Sequence, residues 1–209
     1  MRFTTIALTA LFCAGCASIH PVAGVYGGAV CGTLDDIRDG GDHYRFGDED
    51  LGTIIGGRAG VVADVAEHFR VGAVADISSS EFGADLRMTD GEGSSFAGDV
   101  DIETIGVTPM LMAYVPIGRV APYVAAGPHI SEVDLKAGSA GRVHSEQTSV
   151  GLDARGGIQA TVAKVGDVSI MAFVEYRYLH SNYEFSGSTG TVDSDLETHS
   201  GIFGLGVEF

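Results

Sequence analysis

The chain has 209 residues, enough for one domain or at most two small ones, and its 31 glycines follow no collagen-like period. With 45% hydrophobic residues it is expected to fold rather than stay disordered. A formal charge of −16 leaves no basic stripe to neutralise phosphates, which argues against nucleic acid and against simple electrostatic attachment to anionic lipid.

The opening stretch "MRFTTIALTALFCAGCAS" carries one cation, Arg2, then an apolar run and then small residues. That pattern predicts a secretory signal over residues 1–15, too short to span a bilayer as a helix. Its end, "CAGC", resembles a bacterial lipobox, and the resemblance implies that Cys16 is diacylated and becomes the mature N-terminus. The pattern departs at Cys13, where the motif prefers Leu. Loss of Arg2 with the signal takes the net charge to −17. Two of the three cysteines lie at this processing site, so no disulfide framework is expected. Residues 16–24 read as a periplasmic linker, and 25–209 as one domain.

From there the chain reads as alternating segments with no convincing helical period. Strands are predicted at Val25–Thr33, Thr53–Ala63, Phe69–Ser79, Thr104–Val115, Val120–Ile130, Ser149–Val162, Val168–His180 and His199–Phe209. Each is about ten residues long, the length a tilted strand needs to cross a bilayer. "DVAEH", "PIGR" and "AKVGD" read as tight turns, whereas 34–52, 80–103, 131–148 and 181–198 read as long polar loops. Short connections at one end and long ones at the other mark an outer-membrane barrel, with short turns and both termini on the periplasmic side.

Period-two alternation supports this reading, because successive side chains on a strand point to opposite faces. In the sixth strand Val150, Leu152, Ala154, Ile158, Ala160 and Val162 oppose Ser149, Asp153, Arg155, Gln159 and Thr161. Elsewhere Phe69, Val71, Ala73, Ala75 and Ile77 oppose Arg70 and Asp76. Ile55, Ala59, Val61 and Ala63 oppose Arg58, and Ile170, Ala172, Val174, Tyr176 and Tyr178 oppose Glu175 and Arg177. In the last strand Phe203, Leu205, Val207 and Phe209 oppose Gly204, Gly206 and Glu208. The polar faces thus collect Arg58, Arg70, Arg155 and Arg177 against Asp76, Asp153, Glu175 and Glu208. An eight-stranded barrel is just wide enough for side chains to fill it. A balanced set of charges in that space predicts a salt-bridged interior.

"APYVAAGPHI", "VEYRYLH" and the closing "GIFGLGVEF" resemble the eight-stranded outer-membrane barrels of the OmpA-like and opacity-protein type, over essentially all of the mature chain. The resemblance implies an all-β fold, an eight-stranded antiparallel up-and-down transmembrane barrel in the cell outer membrane. It also implies that Phe203, Leu205, Val207 and Phe209 form a signal read by the barrel-assembly machinery. Outer-membrane lipids and lipopolysaccharide are the expected surroundings, and a monomer the expected state.

For chemistry the sequence offers little. "LDDIRDGGDHYRFGDED" holds seven carboxylates but lacks the ligand spacing of a calcium loop. The expected reading is an acidic loop facing divalent cations, matrix or host surfaces. "LHSNYEF" is similar to the His-x-Ser-Asn pattern of lipid A deacylase barrels, yet His180 and Ser181 are adjacent and so point to opposite faces of a strand. His20, His43, His68, His129, His144 and His199 show no paired ligand spacing and are expected at the rim or in solvent. No cofactor, metal or catalytic residue is assigned. The expected function is that of a non-enzymatic surface protein supporting envelope integrity or adhesion through four acidic loops. A lipid A-modifying enzyme and a narrow pore are the alternatives.

Overall fold

The computed structural model describes residues 18–34, 37–39, 42–89, 95–137, 141–143, 148–186 and 191–209. Cys16 and the stretch read as a signal lie outside the described residues, as do His144 and the tips of the polar connections. The described residues form eleven strands: β1 (Ile19–Leu34), β2 (Ile37–Asp39), β3 (Asp42–Glu49), β4 (Gly52–Ala66), β5 (Phe69–Thr89), β6 (Ser95–Tyr114), β7 (Val120–Ala137), β8 (Gly141–Val143), β9 (Thr148–Val165), β10 (Val168–Ser186) and β11 (Thr191–Glu208). Eight of them close a ring in the order β1, β4, β5, β6, β7, β9, β10, β11, every neighbouring pair antiparallel. The seam is closed by β1 against β11, from Val22 opposite Glu208 to Leu34 opposite Leu196.

The eight strands are those expected, but most run further. The barrel begins at Ile19, inside the stretch read as linker, because Ile19 to Gly24 pair with Ala63 to Arg58 of β4. At the other end the segments read as loops carry on as hairpin arms. Ser80–Thr89 pairs residue for residue with Thr104–Ser95, and β3 adds to the far side of β5. On these arms the outward face turns polar, while Phe82, Ala84, Val100 and Ile102 still point inward and are buried. The ladder continues there on backbone hydrogen bonds and on that inward packing.

Alternation sorts the wall into two surfaces. Outward side chains form a continuous apolar band, among them Val25 (68% exposed), Leu111 (73%), Val174 (68%) and Phe203 (68%). From Val115, just past the end of β6, to Ile105 on it, this band runs about ten residue steps of ~3.3 Å, which at the usual tilt gives the ~25 Å apolar height of an outer-membrane barrel. Three hairpins close one rim at Glu67–His68, Pro116–Arg119 and Gly166–Asp167, and the two outer ends of the seam lie on that same rim. Gly118 and Gly166 take φ of 65° and 62°, the left-handed region that glycine enters without a Cβ penalty.

Candidate functional site: the ionic waist of the barrel

The interior is layered rather than uniformly polar. Towards the long-armed end, Val30, Ile54, Phe82, Ile102, Val133 and Leu196 form one apolar cluster. Towards the short-turn rim, Val62, Val74, Met110, Met112, Tyr114 and Ala121 form another. Between them lies a layer of charges, with Asp76 and Asp153 fully buried and Arg155, Glu175 and Arg177 nearly so. The parity of their strands turns each of these side chains inward, as the sequence implies.

Arg155 is the hub. Its Nη2 and Nη1 donate to Asp76 Oδ1 and Oδ2 at 2.8 and 3.0 Å, the two-pronged geometry that a guanidinium offers a carboxylate. The same guanidinium reaches Asp153 through Nε and Nη2 at 3.0 and 2.8 Å, and Glu175 through Nη1 at 3.3 Å. Arg58 Nη1 donates to Glu175 Oε2 at 2.9 Å and lies over the Phe173 ring, 3.9 Å from its centroid. Arg177 Nη2 is 2.8 Å from Asp153 Oδ2, and its Nη1 donates to Ser78 Oγ at 2.9 Å. Three guanidinium groups therefore meet three carboxylates. The layer is neutral, and each charge is paired.

Hydroxyls complete the layer. Tyr26 donates to Asp76 Oδ1 at 2.8 Å, Tyr123 to Glu175 Oε2 at 2.6 Å, and Thr108 to Asp153 Oδ2 at 3.2 Å. His129, expected at the rim or in solvent, is instead 1% exposed in the interior. Its Nδ1 lies 2.7 Å from Thr108 Oγ1, and its ring lies against Gly106, where a Cβ would come within 2.2 Å of it. The sequence reading missed these four residues. The signal available for two of them was parity: Tyr123, Ala125 and His129 share one face of β7 and are all buried, opposite the exposed Val124 and Ile130.

Arg70 and Glu208 do not join this layer. At the short-turn rim Arg70 Nη1 and Nη2 donate to the two Glu208 oxygens at 3.0 and 2.8 Å, and its Nε donates to Asp64 Oδ1 at 2.6 Å. His20 extends the cluster, 3.2 Å from Asp64 Oδ2 and 3.3 Å from the Phe209 carbonyl. The expected set of eight charges thus divides into a central layer and a rim clasp. Phe203, Leu205 and Phe209 face outward beside the seam, as their alternation requires.

The histidine and serine of "LHSNYEF" lie apart. Ser181 is fully buried inside, whereas half-buried His180 is on the outer face with Nδ1 3.5 Å from Glu197 Oε1. Outward Tyr176 and Tyr178 pack on His199 with ring centroids 6.0 and 5.3 Å apart. Aromatic side chains at the upper edge of the apolar band mark a membrane interface. Among the described residues no group of three or more His, Cys, Asp or Glu is placed to hold a metal ion.

A closed ring of eight tilted antiparallel strands, apolar outside and charge-paired inside, is the architecture of a transmembrane β-barrel. The sequence profile of the outer membrane protein β-barrel domain matches residues 4–209, and the chain belongs to that family. Its place is therefore the outer membrane, and the short-turn rim is the periplasmic one. No curated protein sequence matches the chain. Among solved structures it is similar to the outer membrane protein OprG from Pseudomonas aeruginosa, with a TM-score of 0.55 at 16% identity, covering 92% of this chain and 96% of that one. It is also similar to Neisserial surface protein A (TM-score 0.44, 15% identity, 92% and 99% covered). A third is Ail, the attachment invasion locus protein of Yersinia pestis (TM-score 0.43, 12% identity, 90% and 99% covered). At these identities the likeness is one of fold.

Proposed function

We propose that the protein is a closed, non-enzymatic surface barrel that supports envelope integrity and makes surface contacts through its acidic extracellular arms. The observation that carries this reading is the neutral ionic waist centred on Arg155. Its charges are spent on one another within a few ångströms, which favours a rigid plug over a transport path. Function then belongs to what the plug holds in place. On the membrane-distal arms Asp85 stands directly opposite Asp99. Like charges directly opposite one another destabilise a ladder, so their presence here favours a role outside folding. Divalent cations, lipopolysaccharide and host or matrix surfaces are the partners such arms would meet. Acylation of Cys16 would add a second tether, and the apolar row Phe203, Leu205, Val207 and Phe209 would be read by the barrel-assembly machinery.

The test removes the tip of the last long arm, Gly187 to Thr191, and scores surface adhesion and envelope permeability against a barrel that still migrates as folded. One or both should change. In parallel, His180→Ala and Ser181→Ala should leave the lipid A acyl pattern identical by mass spectrometry, since a nucleophile and base on opposite faces of β10 cannot meet. An acyl chain missing in the parent strain that returns in both point variants would replace this reading with the deacylase one.

A further inference from the structure

The lipid-facing wall is uneven in a way the surface role does not require. Around β9 to β11 it carries large side chains such as Leu152, Ile158, Val174, Phe203 and Leu205, all more than half exposed. On the periplasmic half of β4 to β7 two adjoining rows set alanines between larger aliphatic residues. The first row runs in direct register from Ile19 through Ala63, Val71 and Ala113 to Val124. The second runs from Val61 through Ala73 and Leu111 to Ala126. Between them lies an apolar groove of about 490 Å³. Ile19, 66% exposed, stands at its β1 end.

We propose that this groove seats an acyl chain of the lipid carried by Cys16, an inference that rests on the acylation of that residue. Three features select this occupant. Cys16 precedes Ile19 by three residues, a reach of at most ~10 Å in extended chain, so the anchor is tethered beside the groove's open end. Five strands at ~4.8 Å spacing make the groove about 19 Å long. That is comparable to the ~15 Å that one leaflet's chains cover in a ~30 Å hydrocarbon core. The groove also lies on the periplasmic half, since Ala63 and Val71 are the last outward residues but one before the Glu67–His68 turn on their strands. This is the leaflet that an anchor at the periplasmic N-terminus enters. A lipid lying along the wall fills the space that Ala63, Ala73, Ala113 and Ala126 leave between their larger neighbours and fixes where β1 leaves the membrane, at the seam-bearing side of the barrel.

The experiment feeds cells expressing the full chain a photoactivatable fatty acid, irradiates, and maps crosslinked peptides by mass spectrometry. The expected product joins the N-terminal lipopeptide to peptides of β5, β6 or β7 from the same molecule. It should fall to the background seen on β10 when Ala73→Leu and Ala126→Leu fill the groove, with Cys16 labelling and folded migration unchanged. A parent chain bearing no fatty acid on Cys16 overturns the acylation on which the inference rests. A labelled Cys16 whose crosslinks spread evenly around the wall, or ignore the filled groove, overturns the inference alone. Crosslinks from the groove to free phospholipid, or to a second copy of the chain, assign it a different occupant.

Discussion

At the scale of single residues the barrel turns on Arg155, which touches Asp76, Asp153 and Glu175 with no solvent beside it. Removing one member of a buried ion network leaves its partners as uncompensated charges, a loss of about 3–5 kcal/mol. Arg155→Leu should therefore convert from the folded to the unfolded gel band at a clearly lower temperature than the parent. Adding Asp76→Asn restores equal numbers of charges, three carboxylates having become two beside the two remaining guanidinium groups, and should recover part of the loss. A single variant as heat-resistant as the parent would mean that Asp76 and Asp153 are stabilised by Tyr26, Thr108 and Arg177 alone. These charged residues were legible in the sequence because ionised side chains on an otherwise alternating strand declare its inner face. Tyr26 and Thr108 were not, since a hydroxyl residue is equally at home at an interface or inside, and only its partner distinguishes the two. His129 is misplaced for a related reason: the lack of metal-ligand spacing says nothing of exposure, and here a hydroxyl and a guanidinium meet the imidazole inside the barrel.

At the scale of elements, glycines in the wall make room for the aromatic rings that reach the waist. Tyr26 lies over Gly56, Tyr123 over Gly157 and Phe173 over Gly204, each ring where a Cβ would come closer than 3.0 Å. An added methyl at Gly204 would meet Phe173 Cζ at 2.4 Å and the Val25 carbonyl at 2.5 Å, so it strains both the ring under Arg58 and the seam between β1 and β11. Overpacking of this kind costs about 1–3 kcal/mol, and Gly204→Ala should lower the unfolding temperature on the same gel assay. Gly201, three residues earlier on the same strand, meets nothing within 4 Å, so Gly201→Ala should be silent. Equal effects at both positions would mean that the strand, not the space, sets the preference for glycine. The abundance of glycine pointed in the sequence to close backbone packing, but the pairing of each ring with its glycine depends on register between strands as distant as Phe173 and Gly204, which alternation cannot supply. The same limit shortened the predicted strands. The apolar outer face ends where lipid ends, while the hydrogen-bonded ladder and the inward Phe82, Ala84, Val100 and Ile102 continue beyond it.

At the scale of the whole molecule, three layers of side chains fill the lumen in series: the outer apolar cluster around Val30 and Leu196, the ionic waist, and the inner cluster around Val62 and Met112. A permeating ion would have to displace Arg155 from three carboxylates and also lose its water beside closely packed side chains, since eight strands leave only enough width for their own interior. The reconstituted parent should accordingly show no stable single-channel steps. The sharper expectation concerns Arg155→Leu. If the waist were a gate, opening its hub would create a path; with apolar layers above and below it, the variant should be less stable yet equally silent in planar bilayers. Discrete, reproducible steps in Arg155→Leu but not in the parent would assign the barrier to the ion network alone and make the narrow-pore reading the better one. Silence in both, together with the lowered unfolding temperature, would separate what holds the barrel together from what keeps it shut.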